Sequence, residues 1–149
     1  MAVGAGSLSF GTADSTRFGG SFTGSGNLVW QGTGTFTLAG DSSAFAGATA
    51  IDSGVLAIGS SASPGAMLGG DVTVNGGTMR GHGTIAGNLN NIGGTVAPGG
   101  SLGTLTVGGN FTQGAAGTLL IELTPNVGAG PGAGYDQLKI GGTATLAGA

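Results

Sequence analysis

The chain lacks cysteine altogether, and its 149 residues carry only three basic, six acidic and one histidine side chain. Without cysteine there is neither a disulfide framework nor a thiolate metal site. One histidine, His82, and singly scattered carboxylates do not supply the ligands of a tetrahedral centre, so no metal and no cofactor is expected. No Gly-Lys-Ser/Thr phosphate loop and no Gly-Gly-x-Gly-x-Asp calcium array occurs. Arg17, Arg80 and Lys139 stand far apart, which argues against nucleic acid as a partner. No apolar run approaches the ~20 residues of a membrane-spanning helix. Nor does any stretch sustain a 3.6-residue apolar period. The first 25 residues lack a basic start and a continuous apolar core, so no signal peptide is visible, and for an exported protein the signal is expected to lie outside the chain.

What is present in excess is glycine, at 37 residues. A strict Gly-X-Y period is missing and there are four prolines, which excludes collagen. With 39% apolar residues, 6% charged residues and a positive mean hydropathy, the chain is no solvated coil either. Its apolar residues must be buried, and their alternation shows how. In Thr104-Leu105-Thr106-Val107 the leucine and valine share one side and the threonines the other, as in a strand with one buried face. Gly-Thr-led runs of this kind recur at Gly34, Gly77, Gly83, Gly94, Gly117 and Gly142, separated by glycine corners.

Anchor glycines at 32, 54 and 77, and again at 94, 117 and 142, are spaced in the low twenties, the mark of a β-solenoid. The expected fold is all-β: one parallel β-solenoid unit over residues 1–149, of about six coils stacked ~4.8 Å apart. A sandwich of hairpins is the alternative, and Asn75-Gly76 would suit a hairpin turn. The alternation assigns Phe36, Leu38, Val72, Val74, Ile85, Val96, Leu105, Val107, Leu119, Ile121, Leu123, Leu138 and Ile140 to the interior. Gly77, Gly94, Pro98, Gly99, Gly117 and Gly142 are assigned to corners, with the glycines supplying positive φ. Residues 96–140, with the cleanest alternation, are expected to be better protected than the glycine-broken segment before Gly32.

Several phrases together resemble a known family. Residues 32–40 (Gly-Thr-Gly-Thr-Phe-Thr-Leu-Ala-Gly), Phe45-Ala46-Gly47, Ala50-Ile51 and Gly54-Val55-Leu56-Ala57 resemble the autotransporter-associated β-strand repeat. Gly83-Thr84-Ile85-Ala86-Gly87, residues 94–99, residues 101–107, Gln113, residues 119–123 and residues 136–140 resemble the C-terminal stretch of autotransporter passenger domains. The resemblance spans residues 18–148, with a repeat-like unit at 18–59 and passenger-like coils at 70–148. It implies a right-handed parallel β-helix, exported through the outer membrane by a C-terminal β-barrel of the same polypeptide. That barrel is expected beyond Ala149, and the location implied is the bacterial cell surface or outside it. A chain without cysteine suits threading through a pore unfolded.

Catalytic phrases are weak. Gly99-Gly100-Ser101-Leu102-Gly103 has the Gly-x-Ser-x-Gly form of a nucleophile elbow, which requires a strand-to-helix turn that the sequence does not continue. Gly40-Asp41-Ser42 is similar to a serine-protease phrase but is followed by Ser43 instead of glycine. His82, between two glycines, reads as a solvated corner. The expectation is therefore a structural stalk segment with no active site, which contacts neighbouring coils and the barrel. The competing expectation is an adhesin, using loops 60–67 or 124–134 on a host-surface glycan or matrix protein. A third, ice binding, rests on the Thr-x-Thr pairs at 35–37, 104–106 and 143–145, which are not one coil apart.

Overall fold

The computed structural model describes residues 1–147. The chain winds repeatedly through three parallel sheets. The first face carries seven strands: Ser7–Phe10, Asn27–Trp30, Thr49–Ile51, Val72–Val74, Leu89–Asn91, Phe111–Gln113 and Ala144–Leu146. The second carries Thr16–Phe18, Thr35–Leu38, Val55–Ile58, Thr78–Gly81, Thr95–Pro98 and Thr118–Leu119. The third carries Asp41–Ser42, Met67–Leu68, Thr84–Ile85, Thr104–Val107 and Gln137–Ile140. Below it, Ala2–Val3 pairs with Thr23–Gly24, and Gly24 bridges in parallel to Phe45. The result is a β-solenoid of about six turns. A single 3-10 turn, Val127–Ala129, is the one helical element among the described residues.

Strands one coil apart are joined in parallel, so the hairpin sandwich is not what forms. Asn75 and Gly76 donate their amides to the carbonyl of Ile51 in the preceding coil and form a corner between the first and second faces. Coil length is uneven. Along the first face, residues paired in register lie 20, 21, 23, 17, 22 and finally 33 residues apart. Gly142 therefore does not continue the corner of Gly94 and Gly117, as its spacing suggested. It sits above Gly109, at the corner that opens the first face.

That corner accounts for six of the 37 glycines. It is written Gly26-Asn27, Gly47-Ala48, Gly70-Asp71, Gly87-Asn88, Gly109-Asn110 and Gly142-Thr143. The carbonyl of the corner glycine below occupies the space of a Cβ at Gly47, Gly70 and Gly87, and the Oδ1 of Asn88 and of Asn110 does so at Gly109 and Gly142. The residue after it often caps the next coil. Asp71 Oδ1 accepts from the amide of Asn88 at 2.8 Å, Asn88 Oδ1 from that of Asn110 at 2.9 Å, and Asn110 Oδ1 from that of Thr143 at 2.9 Å. Most corner glycines are thus required for close approach. Of the five assigned to corners, only Gly77 (φ +63°) and Gly99 (φ +82°) have positive φ. Pro98 ends a strand, where its missing amide costs nothing to the ladder.

Inward positions form one continuous core, in which Ile51, Ile58, Val72, Val74, Met79, Ile85, Leu89, Val96, Leu105 and Val107 are fully buried. Phe36 and Leu38 are buried among the aromatic rings of the early coils, where Phe10 stands 5.0 Å from Phe36 and 5.3 Å from Trp30. Near the other end, Asn91 and Gln113 take inward positions. Asn91 satisfies itself on Gln113 Oε1, the carbonyl of Thr118 and the amide of Gly94.

Two inward assignments are overturned. Ile121 is 39% and Leu123 70% exposed. The strand is only Thr118–Leu119, and Leu120 makes the last bond to the coil below, donating to Val96. The chain then leaves the sheet and pairs with its own returning arm, Leu123 opposite Tyr135 and Glu122 accepting from Asp136. Leu119, Leu138 and Ile140 are half-buried, because no further coil of the described chain lies over them. Burial is therefore deepest in the middle coils, whereas alternation alone pointed to residues 96–140.

In a solenoid, stability follows the local interfaces. Hydrogen exchange should accordingly be slowest between residues 49 and 107 and fast in 137–146; slowest exchange in the latter would contradict the burial. Gly70 (φ +73°) lies against the carbonyl of Gly47, whereas nothing lies within 4 Å of a Cβ at Gly65. Gly70→Ala should cost about 2–4 kcal/mol through backbone strain and overpacking. Gly65→Ala should be close to neutral, and thermal melts of the two variants distinguish them.

Candidate functional site

The most developed surface feature lies on the second face, around Arg80. In Thr78–Gly81, Met79 is turned inward, while Thr78 and Arg80 point out. Arg80's partners in register are Ala57 below and Ala97 above, so the long side chain lies over small neighbours. Two loops flank it. One follows Gly59 and is closed by Ser60 and Ser63, which exchange backbone bonds and share a hydroxyl contact of 2.9 Å. The other, residues 99–103, is pinned by an antiparallel bridge in which Gly81 and Gly99 each donate to the other's carbonyl at 2.7 Å. Its second anchor is His82, whose Nε2 lies 3.1 Å from the carbonyl of Leu102. A carbonyl only accepts, so Nε2 carries the proton; the buried Nδ1 has no partner.

Between these loops is a cleft of about 240 Å³ lined by Thr37, Ser60, Ser61, Arg80, His82 and Ser101. A second cleft of about 260 Å³ adjoins it, lined by Thr78, Thr95, Leu120, Glu122 and Asp136. Arg80, Gly100 and Ser101 border both. Asp136 is buried, and both its oxygens are occupied: Oδ1 accepts from Gly103 at 2.9 Å and Oδ2 from Glu122 at 2.9 Å. It ties the excursion over residues 120–136 to the 99–103 loop. Arg80 takes part in none of the bonds that hold these loops.

The catalytic phrases acquire structural roles. Ser101 lies at the tip of its loop, and the turn there leads into the strand Thr104–Val107 and not into a helix. The bond that orients His82 runs to Leu102. Ser42 is buried and its Oγ accepts from the amide of Phe22 at 2.8 Å, joining two coils. Asp41, on the surface, accepts from the amide of Ser43 at 2.9 Å, and that bond holds its carboxyl below the usual carboxylate range. Among the described residues no three His, Asp or Glu side chains converge as metal ligands.

Register also aligns threonines that spacing alone kept apart. Thr35, Val55, Thr78, Thr95 and Thr118 form one outward file on the second face, and Arg17, Thr37, Ala57, Arg80 and Ala97 form the next. A flat hydroxyl array does not result, because Val55 interrupts the first file and arginines stand in the second. Neither Arg80 nor Asp136 stood out in the sequence beyond being isolated charges. Their bonded and register partners lie 14 to 33 residues away, and no local pattern marks them.

Residues 28–58 match the passenger-associated-transport-repeat. No curated protein and no solved structure matches the chain. The matched stretch begins in one first-face strand, makes a full circuit, and ends with the second-face strand Val55–Ile58. The repeat and the solenoid fit an autotransporter passenger domain, a family exposed in general at the cell surface or outside it.

Asp136→Asn turns an acceptor into a donor facing a backbone amide, so it should cost about 1–3 kcal/mol. Limited proteolysis should then cut within residues 120–135 faster than in the parent chain. Unchanged cleavage and stability would show that the carboxylate is not what holds the excursion.

Proposed function

We propose that this chain is a structural β-helical segment of an autotransporter passenger, carried on the bacterial cell surface, with a mechanical and not a catalytic role. The observation behind this reading is that the matched stretch, residues 28–58, is built into a continuous stack, paired below to Ser7–Phe10 and above to Val72–Val74. Its core side chains, among them Leu28, Trp30, Leu38, Phe45, Ile51 and Ile58, are buried. A stack of six coils makes a spacer roughly 30 Å long that can hold a more distal domain away from the membrane. Its partners are then its own neighbouring coils and a C-terminal β-barrel of the parent chain. Folding coil upon coil outside the outer membrane would also favour export, because each completed coil opposes backward movement of the chain.

The test places the chain between an N-terminal epitope and a β-barrel translocator and measures epitope on intact cells. Ile85→Asp puts an unpaired carboxylate in the middle of the core and should cost several kcal/mol. Its display should fall several-fold. Ile121→Asp, on the exposed excursion, should display like the parent. Equal display by all three would remove the folding contribution, and loss of display by the parent chain itself would sink the passenger reading.

A further inference from the structure

We propose that the paired clefts around Arg80 form a binding site for a monoanionic acidic sugar, its carboxylate on the guanidinium and its ring hydroxyls on the flanking loops. Arg80 is half-buried, so part of its hydration has been given up, yet the loops around it are held by other groups. A guanidinium is weakly hydrated and offers planar, paired donors that match a carboxylate. Ala57 and Ala97 keep its neighbours in register short, and Gly100, without a side chain, lies beside it on the flanking loop. The guanidinium is thereby left uncovered by its register neighbours and open to both clefts.

The surroundings fix the kind of anion. Thr37, Ser60, Ser61 and Ser101 border one cleft, and Thr78 and Thr95 the other. Hydroxyls of this kind both donate and accept, as sugar hydroxyls do. Each cleft, at about 240 and 260 Å³, has room for a single sugar ring. Leu120, 48% exposed at the edge of the second, offers an apolar contact to a ring face. The first cleft has no carboxylate in its lining, so the ligand carboxylate meets Arg80 from that side. Glu122 and Asp136 in the second repel a dianion such as a phosphate monoester more strongly than a monoanion, and Glu122 can accept from a ring hydroxyl. His82 is a positioning residue, since its bond to Leu102 holds the loop that carries Ser101. The site is independent of the spacer role, and its failure would leave that reading untouched.

The test is a titration of the isotope-labelled chain with sodium glucuronate, glucose and sodium sulfate, followed through backbone amide shifts. Glucuronate should move the amides of Ser60, Ser61, His82, Gly100 and Ser101 saturably, with glucose and sulfate each at least ~10-fold weaker. Arg80→Gln should weaken glucuronate by a similar factor. Arg17→Gln, in the same file three coils away, should leave it unchanged. Ala97→Glu sets a carboxylate beside Arg80 in the adjoining strand and should also abolish binding, deciding the matter if Arg80→Gln does not fold. Undiminished binding in folded Arg80→Gln or in Ala97→Glu overturns the proposal. So does sulfate equal to glucuronate, or the absence of any saturable shift.

Discussion

Each coil of this protein is completed by the backbone of the coil below it, and the constraint that governs the rest is how closely the two can approach. At the corner leading into the first face, a glycine of one turn rests against the carbonyl of a glycine in the last, with no room for a methyl group between them. Any other residue would lift the coil off its neighbour and lengthen the ladder bonds on either side. Part of the glycine content is the result of this stacking contact, repeated once per turn here and again at other corners such as Gly54 and Gly77. Placed at the corners, these glycines leave the faces free for alternating apolar and polar residues, which is what allows a chain with so few charges to remain folded around a dry interior.

Much of this architecture can be read in the residues. Alternation in Thr104–Val107 and in Val72–Val74 marks the inward side, and the core positions from Phe36 to Val107 lie buried. The exact winding was harder to read, for a physical reason. Gly-Thr phrases occur on all three faces, so counting between them mixes corners, as with Gly117 and Gly142. The more faithful marker was the glycine followed by asparagine or aspartate and then an apolar residue, as at 26–28, 70–72, 87–89 and 109–111. There the polar side chain has a defined task, to cap the next coil. The error at Ile121 and Leu123 has a different source. Alternation reports that a segment could bury one face, and here the chain turns away before another layer can cover it.

The candidate site was legible only as parts. Arg80 was one of three isolated cations and Ser101 part of a common phrase. Their proximity depends on a bridge between Gly81 and Gly99, and on Asp136 reaching back 33 residues to Gly103. Contacts of this length belong to the register of the stack, which local sequence does not encode. The excursion that Asp136 secures is also the largest departure from regular winding, adding its length to the coil that ends at Gln137–Ile140. Irregular loops on a regular scaffold are where binding surfaces commonly lie.

The unequal coils have a consequence for how the chain finds its pairing. A solenoid with identical turns could slip by one whole coil and lose little except its end, so that misthreaded forms would compete with the native one. Here the steps along the first face run 20, 21, 23, 17 and 22 residues before the long last one. A slipped chain would have to fit the 17-residue turn where a longer one belongs, stretching its corners. It would also separate the buried Asn91 and Gln113 that now satisfy each other. The uneven period therefore works as a set of keyed steps that penalises slippage by a whole coil.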